Sequence, residues 1–316
     1  MSEHSTQNQP QSLTDNSHHE HYAYWVRLAA ITSSSVALIL VVIKFYAWLV
    51  SDSSAMLAST TDSILDLFAS IMNIVILRFA LAPADEEHKF GHGKAESLAG
   101  LVQAAFVLGS ALLLIFNGVE RVINPRVIVQ SNIAIGVTIV AIILTLLLVV
   151  FQRYVIKRTG SIVISADALH YQSDLFLNLG VLAAIFLSQG IWLQADGVFT
   201  IAVALYLLFG AGQIIYQSVY QLMDHELSEG ELAQIKSIIL AHDHALGLHE
   251  LRTRQSGAHR FIQFHLELED NLSLLEAHSI GDDIETEICQ ALAPCEVFIH
   301  HDPTSVVPAE LRVQQP

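Results

Sequence analysis

The 316-residue chain is 53% hydrophobic and only 15% charged, with a mean hydropathy of +0.48, which excludes an ordinary soluble domain and points to a membrane protein. Its 31 acidic against 15 basic residues leave a formal charge of -16, which excludes a nucleic-acid partner because phosphate binding needs a basic surface. Cations are the natural ligands of such a chain.

Residues 1–22 are polar, contain Pro10, and lack the basic and apolar regions of a cleavable signal peptide. They read as a disordered tail whose His4, His18, His19 and His21 are solvated, with weak metal holding as the alternative. Spanning a bilayer takes roughly 20 mostly apolar helical residues, and six such segments follow, at about 24–50, 56–82, 95–118, 130–152, 165–188 and 193–222. Pro83, the Asn124–Arg126 turn, the Arg158–Gly160 turn and Gly190 separate them. Arg78, Lys89 and Lys94 flank the loop after span two, and Arg153, Lys157 and Arg158 fill the loop after span four. The loops after spans one and five hold no Lys or Arg, so even-numbered spans and both termini face the cytoplasm. The expected fold is therefore an all-α membrane domain of six transmembrane helices over 23–223, followed by a cytosolic α+β domain over 224–308 and a flexible end at 309–316. In the cytosolic domain the pattern reads helix, two strands joined at Gly257, helix, strand: an αββαβ order with helices on one face of a sheet. Cys289 and Cys295 have neither metal-ligand nor secreted spacing and read as reduced thiols.

Three constellations carry chemistry. "TTDSILDLFAS" in span two sets Asp62 and Asp66 four apart, and "ADALHYQSD" in span five does the same with His170 and Asp174. Residues at i and i+4 share a helix face, so two facing edges make a site of three carboxylates and one imidazole. A carboxylate in hydrocarbon costs several kcal/mol unless paired, hydrated or metallated, and neither helix has a Lys or Arg placed to neutralise it. A helix cap at Asp62 and a core histidine at His170 are the structural alternatives. Oxygen and nitrogen donors in tetrahedral number suit Zn2+, with Cd2+, Fe2+, Co2+ or Mn2+ as rivals. The loop "PADEEHKFGHGKAE" spaces Asp85, His88 and His92 so that one or two helical turns would gather them, and Gly91 and Gly93 let the backbone bend; a solvated loop is the alternative. In the last domain His249, His265, His278, His300, His301 and Asp302 exceed what packing needs, and as a group they favour metal.

The stretches "DSILD", "HKFGHGKAESLAG", "ALHYQSD", "LMDHEL", "ELRTRQSG", "RFIQFHLELED" and "HHDP" occur in an order that resembles the cation diffusion facilitators, in their bacterial zinc and ferrous-iron efflux branch, from about Tyr24 to Pro308. The resemblance implies a transport site of Asp62, Asp66, His170 and Asp174, a loop site of Asp85, His88 and His92, and a cytosolic binuclear site of His249, His265, His278, His300 and Asp302, the last as bridge. His301 falls outside that ligand pattern, and the His-bearing N-terminal extension departs from it. It further implies a homodimer with ferredoxin-like tails meeting in the cytosol, residence in the bacterial inner membrane, and a role for Lys94 and Asp224 where the domains meet. Asp62 in place of a histidine resembles the less selective members that admit Cd2+ as well as Zn2+.

Ligands must lose protons to bind metal, and an imidazole beside carboxylates can hold a proton when metal is absent. Export of Zn2+, with Cd2+ and Fe2+ as further ions, against entry of protons through alternating access is the expected activity. No nucleotide motif is present, so the proton gradient is the expected driving force. Metal at the tail is the expected regulator. The rivals are an intramembrane protease, which would need HExxH or paired aspartate signatures that the chain lacks, a membrane metal sensor, a channel, and the same transporter with Fe2+ or Mn2+ as its ion.

Overall fold

The computed structural model describes residues 9–51, 54–125, 132–187, 194–308 and 310. Six long helices come first: α1 (Gln9–Ser51), α2 (Ser54–Ala80), α3 (Lys94–Ile123), α4 (Asn132–Thr159), α5 (Ile162–Leu187) and α6 (Ala195–Leu222). After them come α7 (Glu229–Ala241), β1 (Gly247–Ser256), β2 (His259–Leu268), α8 (Leu274–Leu292), β3 (Cys295–Pro303) and a single 3-10 turn, Thr304–Val306. The chain divides into a helical unit, Tyr24–Val219, and a second unit that takes in everything from Tyr220 onward.

The helical unit is apolar on the outside. Phe106, Leu113, Phe116, Leu147 and Phe209 stand exposed on its helices, as side chains facing hydrocarbon do. Among the described residues, five of the six helices are long and apolar enough to cross a membrane. The exception, α5, carries Asp167, His170, Gln172 and Asp174, and it is packed against α2, α3 and α4, which removes its polar face from lipid. Small residues let the helices close up: on α3 and α6, Gly118 and Gly197 each lie where a Cβ would strike the other's carbonyl oxygen, at 3.1 and 2.8 Å.

Several boundaries differ from those read in the sequence. The helix of α4 runs to Thr159, so Arg153, Lys157 and Arg158 lie on its last turns and only Gly160 and Ser161 separate it from α5. Their long stems allow this: the Arg158 guanidinium lies over the rings of Tyr154 and Trp25, at 4.6 and 5.2 Å, keeping an apolar stem on the bundle and the charge at its end. The segment expected to be a disordered tail is helical from Gln9 onward as the start of α1, since extending a formed helix adds a hydrogen bond for each residue fixed. Residues 1–8, Gly190 and all but one residue of the flexible end expected at 309–316 lie outside the described residues.

The second unit has the expected αββαβ order. Sheet order is β1-β2-β3, with β1 and β2 antiparallel and β2 and β3 parallel. Both helices start on capping boxes, Ser228 with Glu231 on α7 and Ser273 with Glu276 on α8, each joining two backbone N–H groups to side chains. Ile235 and Ile239 of α7 and Ile280, Ile284 and Ile288 of α8 bury against Ile262, Phe264 and Leu266 of β2. Alternation along β2 then turns Phe261, Gln263, His265 and Glu267 to the opposite face. Cys289 and Cys295, read as reduced thiols, are joined as a disulfide. The chain reverses at Ala293 and Pro294 between α8 and β3, bringing their Cα atoms to 5.5 Å, which a count of intervening residues does not reveal.

Candidate metal centres

Within the helical unit α2 and α5 are neighbours, the arrangement that a shared site requires. The Nε2 of His170 lies 2.9 Å from Asp66 Oδ1 and 3.8 Å from Asp174 Oδ2. Asp66, His170 and Asp174 each offer a ligand atom within 4.8 Å of the others, and all three are partly buried. Asp62 stands one turn along α2, more exposed, outside that group of three. Three of the four expected side chains are thus brought together, two carboxylates about one imidazole.

Lys44 was missed. It lies in the apolar stretch of α1, and its ammonium donates to Ser63 Oγ at 2.7 Å and to the Ser59 carbonyl at 3.5 Å, next to Asp62 in the chain. Its positive charge acts on Asp62 and Asp174. A lone lysine within a span is itself a signal, because such a charge is costly without a partner.

The loop between α2 and α3 gathers Asp85, His88 and His92, again with ligand atoms within 4.8 Å of one another. It does so by turns, where the sequence suggested helix. Asp85 Oδ1 accepts from the backbone N–H of Glu87 and of His88, at 2.9 and 2.6 Å, the Asx-turn geometry that lets a side chain replace a backbone partner. The His88 ring lies 3.1 Å from Asp85 Oδ1, and His92 Nε2 lies 3.4 Å from Asp85 Oδ2. The other His92 nitrogen faces the Pro83 carbonyl at 3.2 Å and so fixes the ring, while Gly91 supplies a φ of +72°. The His88 backbone N–H foremost, with the His88 ring and the Glu87 N–H, holds the Asp85 carboxyl below the usual carboxylate range, so the group is ready as an anion.

In the sheet, register does the assembling. His249 pairs with His265 across β1 and β2, His265 with His300 across β2 and β3, and Glu267 with Asp302, which lines five side chains along the face turned away from the helices. Asp302 is the hub: its Oδ2 lies 2.7 Å from His265 Nδ1 and 3.3 Å from His249 Nε2, and its Oδ1 lies 3.3 Å from His300 Nε2. A break in the β1 register between His249 and Arg252, with Glu250 at φ 49°, is the kind of bulge that re-aims a strand's side chains. Glu267, only 2% exposed, faces the other nitrogen of His249 at 3.1 Å. A carboxylate so placed can accept the Nδ1–H of the tautomer whose Nε2, toward Asp302, carries the lone pair, the usual support for a ligating imidazole. Sequence reasoning passed over Glu267, although it stands two residues beyond His265 and so on the same face.

The expected cytosolic set is only partly gathered. His249, His265 and Asp302 cluster within 4.8 Å, and His300 joins through Asp302. His278 sits on α8, exposed, with Asp282 at 3.5 Å. His301 faces α8 and lies where a Cβ on Gly281 would meet its Nε2 at 2.5 Å.

Comparison with known proteins agrees with this architecture at both ends. Residues 30–223 match the cation efflux transmembrane domain, and residues 227–304 match the cytoplasmic domain of cation efflux proteins. The chain is similar to the cation-efflux pump FieF of Shewanella oneidensis, 50% identical over 287 residues that cover 91% of this chain and 97% of the relative. FieF of Yersinia pestis is 45% identical over 289 residues, covering 92% and 96% of the two chains, and that of Salmonella arizonae is 43% identical over 291 residues, covering 92% and 97%. With two domain matches in the order of the fold and such relatives along almost the whole length, the chain belongs to the cation efflux family, the cation diffusion facilitators, which are multi-pass membrane transporters of cations and not enzymes.

Proposed function

We propose that the protein exports Zn2+, and also Cd2+ and Fe2+, from the cytoplasm in exchange for protons. The observation that carries the reading is His170 Nε2 at 2.9 Å from Asp66 Oδ1, with Asp174 beyond it: an imidazole shared between carboxylates of two helices. Without metal, the imidazole N–H is held between acceptors. A divalent ion entering the same space needs the nitrogen lone pair and both carboxylates, so it displaces the proton. Asp62 completes the four-ligand set by closing toward the cluster from the same face of α2. Alternate exposure of this set to the two sides of the membrane then couples metal leaving to protons entering.

The protein works in this reading as a homodimer in the bacterial inner membrane, with both termini in the cytoplasm. Lys and Arg concentrated around the α2–α3 loop and the end of α4 support that orientation. Asp85, His88 and His92 form a cytosolic loop site. His249, His265, His300 and Asp302 form the tail site, with His278 swinging in from α8; imidazole and carboxylate donors of this kind suit Zn2+. Zn2+ bound there supplies a cross-link between strands, and it favours the transport-competent arrangement when cytosolic metal rises.

The test is reconstitution in liposomes with simultaneous recording of Zn2+ uptake and internal pH, for the native chain and for Asp66→Ala. Zinc flux with opposite proton flux, both lost on substitution, is the expected result. Zinc movement without a proton signal would overturn the coupling, and normal transport by Asp66→Ala would overturn the site.

A further inference from the structure

The helical unit holds a second buried acidic group that the transport mechanism does not use. Asp167 of α5 is only 3% exposed and lies three residues before His170, about 4.5 Å along the helix axis toward the α4–α5 turn. Its Oδ2 accepts from Ser33 Oγ of α1 and from Gln152 Nε2 of α4, both at 2.7 Å. Its Oδ1 accepts from Asn73 Nδ2 of α2 at 3.1 Å and from Gln103 Nε2 of α3 at 3.3 Å. Ser33 continues through Ser70 Oγ, at 3.3 Å, to the hydroxyl of Tyr171, 2.9 Å further on. Five helices therefore meet at one carboxylate, through donors that are all neutral.

Such a group is hard to explain by stability, since apolar residues of similar volume often pack as well or better than buried ionisable groups. The two glutamines also give something up: Gln103 Oε1 and Gln152 Oε1 are buried without a hydrogen-bond partner, so both amides are turned to serve the carboxylate. What four donors on four helices do supply is a single rotation and height for α5. Asn73 lies seven residues after Asp66 on one face of α2, and Asp167 lies three before His170 on one face of α5. The pairs Asp66–His170 and Asn73–Asp167 are thus two rungs between the same two helices.

The geometry points to Asp167 as a positioning residue for metal transport, one that holds His170 and Asp174 of α5 against Asp66 of α2 through its links to α1, α2, α3 and α4. This rests on Asp66, His170 and Asp174 being the transport site. In proteoliposomes, Asp167→Ala raises the Zn2+ concentration for half-maximal uptake by about 10- to 100-fold, the loss typical when a group supporting metal ligands is removed. The double variant Asp167→Asn with Gln152→Glu moves the carboxylate across the α4–α5 hydrogen bond and restores half-saturation to within a few-fold of the native value. Two results would overturn the inference: Asp167→Ala with native half-saturation and only a lowered maximal rate, which marks fewer folded transporters, or a double variant as impaired as the single one. Asp66→Ala run in parallel separates the two readings. If it transports normally, the site assignment is at fault; if it is inactive while Asp167→Ala keeps native half-saturation, only the role of Asp167 is.

Discussion

Gly281→Ala tests how closely the tail site depends on the packing beneath it. A Cβ at Gly281 of α8 would lie 2.5 Å from His301 Nε2 and 3.2 Å from its Cε1, against about 3.5 Å for unstrained contact, so the ring must retreat by roughly 1 Å. Its Nε2 is buried and β3 is bonded to β2 throughout its length, so the strand is held and the ring must give way by turning about its own side-chain bonds. Overpacking of this kind costs about 1–3 kcal/mol, equivalent to roughly 5- to 150-fold faster exchange of protected amides. The strain falls on β3, where His300 and Asp302 flank His301 and face the opposite side of the sheet. Hydrogen exchange of the β3 amides in the full-length protein, with and without Zn2+, reads both effects: faster exchange in Gly281→Ala, and weaker protection by Zn2+. His301→Ala removes the colliding ring, so the double variant recovers most of the loss, a coupling of about 1–3 kcal/mol. If the two substitutions are simply additive, the ring and the helix do not share the space described and the reasoning fails.

The capping boxes make the tail domain acid-sensitive. Burial alone would raise the Glu231 carboxyl, but hydrogen bonds from Ser228 and Arg260 outweigh it and hold the group below its ordinary range, and Glu276 is lowered by the Ser273 hydroxyl and N–H. Both contributions are present above the unfolded value near 4.3 and are lost as pH falls through the lowered folded values; amides of α7 should exchange faster below about pH 4, and Glu231→Gln should flatten that dependence. In the loop, Gly91→Ala meets nothing closer than 4.0 Å but must hold a φ of +72°, a cost of about 1–2 kcal/mol for an L side chain. Zn2+ titration of the variant is expected to show weakening, by about 5- to 30-fold, at the loop centre alone; unchanged binding would mean that His92 needs no such turn.

Much of this fold is written in local pattern. Runs of apolar residues mark the six long helices, and period-two alternation in "RFIQFHLELE" marks a strand with His265 on one face and Phe264 on the other. The doublets Asp62/Asp66 and His170/Asp174 announce themselves because helical periodicity converts spacing into a shared face. Sequence is silent where the partner comes from elsewhere in the chain. Asp167 lies in the same motif as His170, yet its meaning depends on Ser33, Asn73, Gln103 and Gln152 from four other helices. Lys44 acquires its role only once α1 is seen beside Ser59 and Ser63. The loop site was readable in composition but not in conformation, since an Asx turn at Asp85 and a left-handed Gly91 gather the same three side chains that a helix would have gathered. The end of α4 was misplaced because three basic side chains read as a loop, whereas Arg158 reaches out of a helix along Tyr154 and Trp25.

The membrane and tail centres share a donor arrangement and differ in what holds it. In each, a histidine is bracketed by two carboxylates: His170 by Asp66 and Asp174, His249 by Glu267 and Asp302. The ligands around His249 lie on neighbouring strands of one sheet whose register is fixed by backbone hydrogen bonds, with a buried glutamate behind the ring. Those side chains cannot separate without breaking the sheet, so the tail centre of the proposed reading is one that would retain its ion. Asp66 and His170 lie instead on α2 and α5, two helices that meet through side chains and the Asp167 network, with no backbone bond between them. They can part when the helices move, which a site that must release its cargo requires. The same chemistry thus fits retention on a sheet and transport between helices, and the difference lies in whether the backbone or the side chains join the ligands.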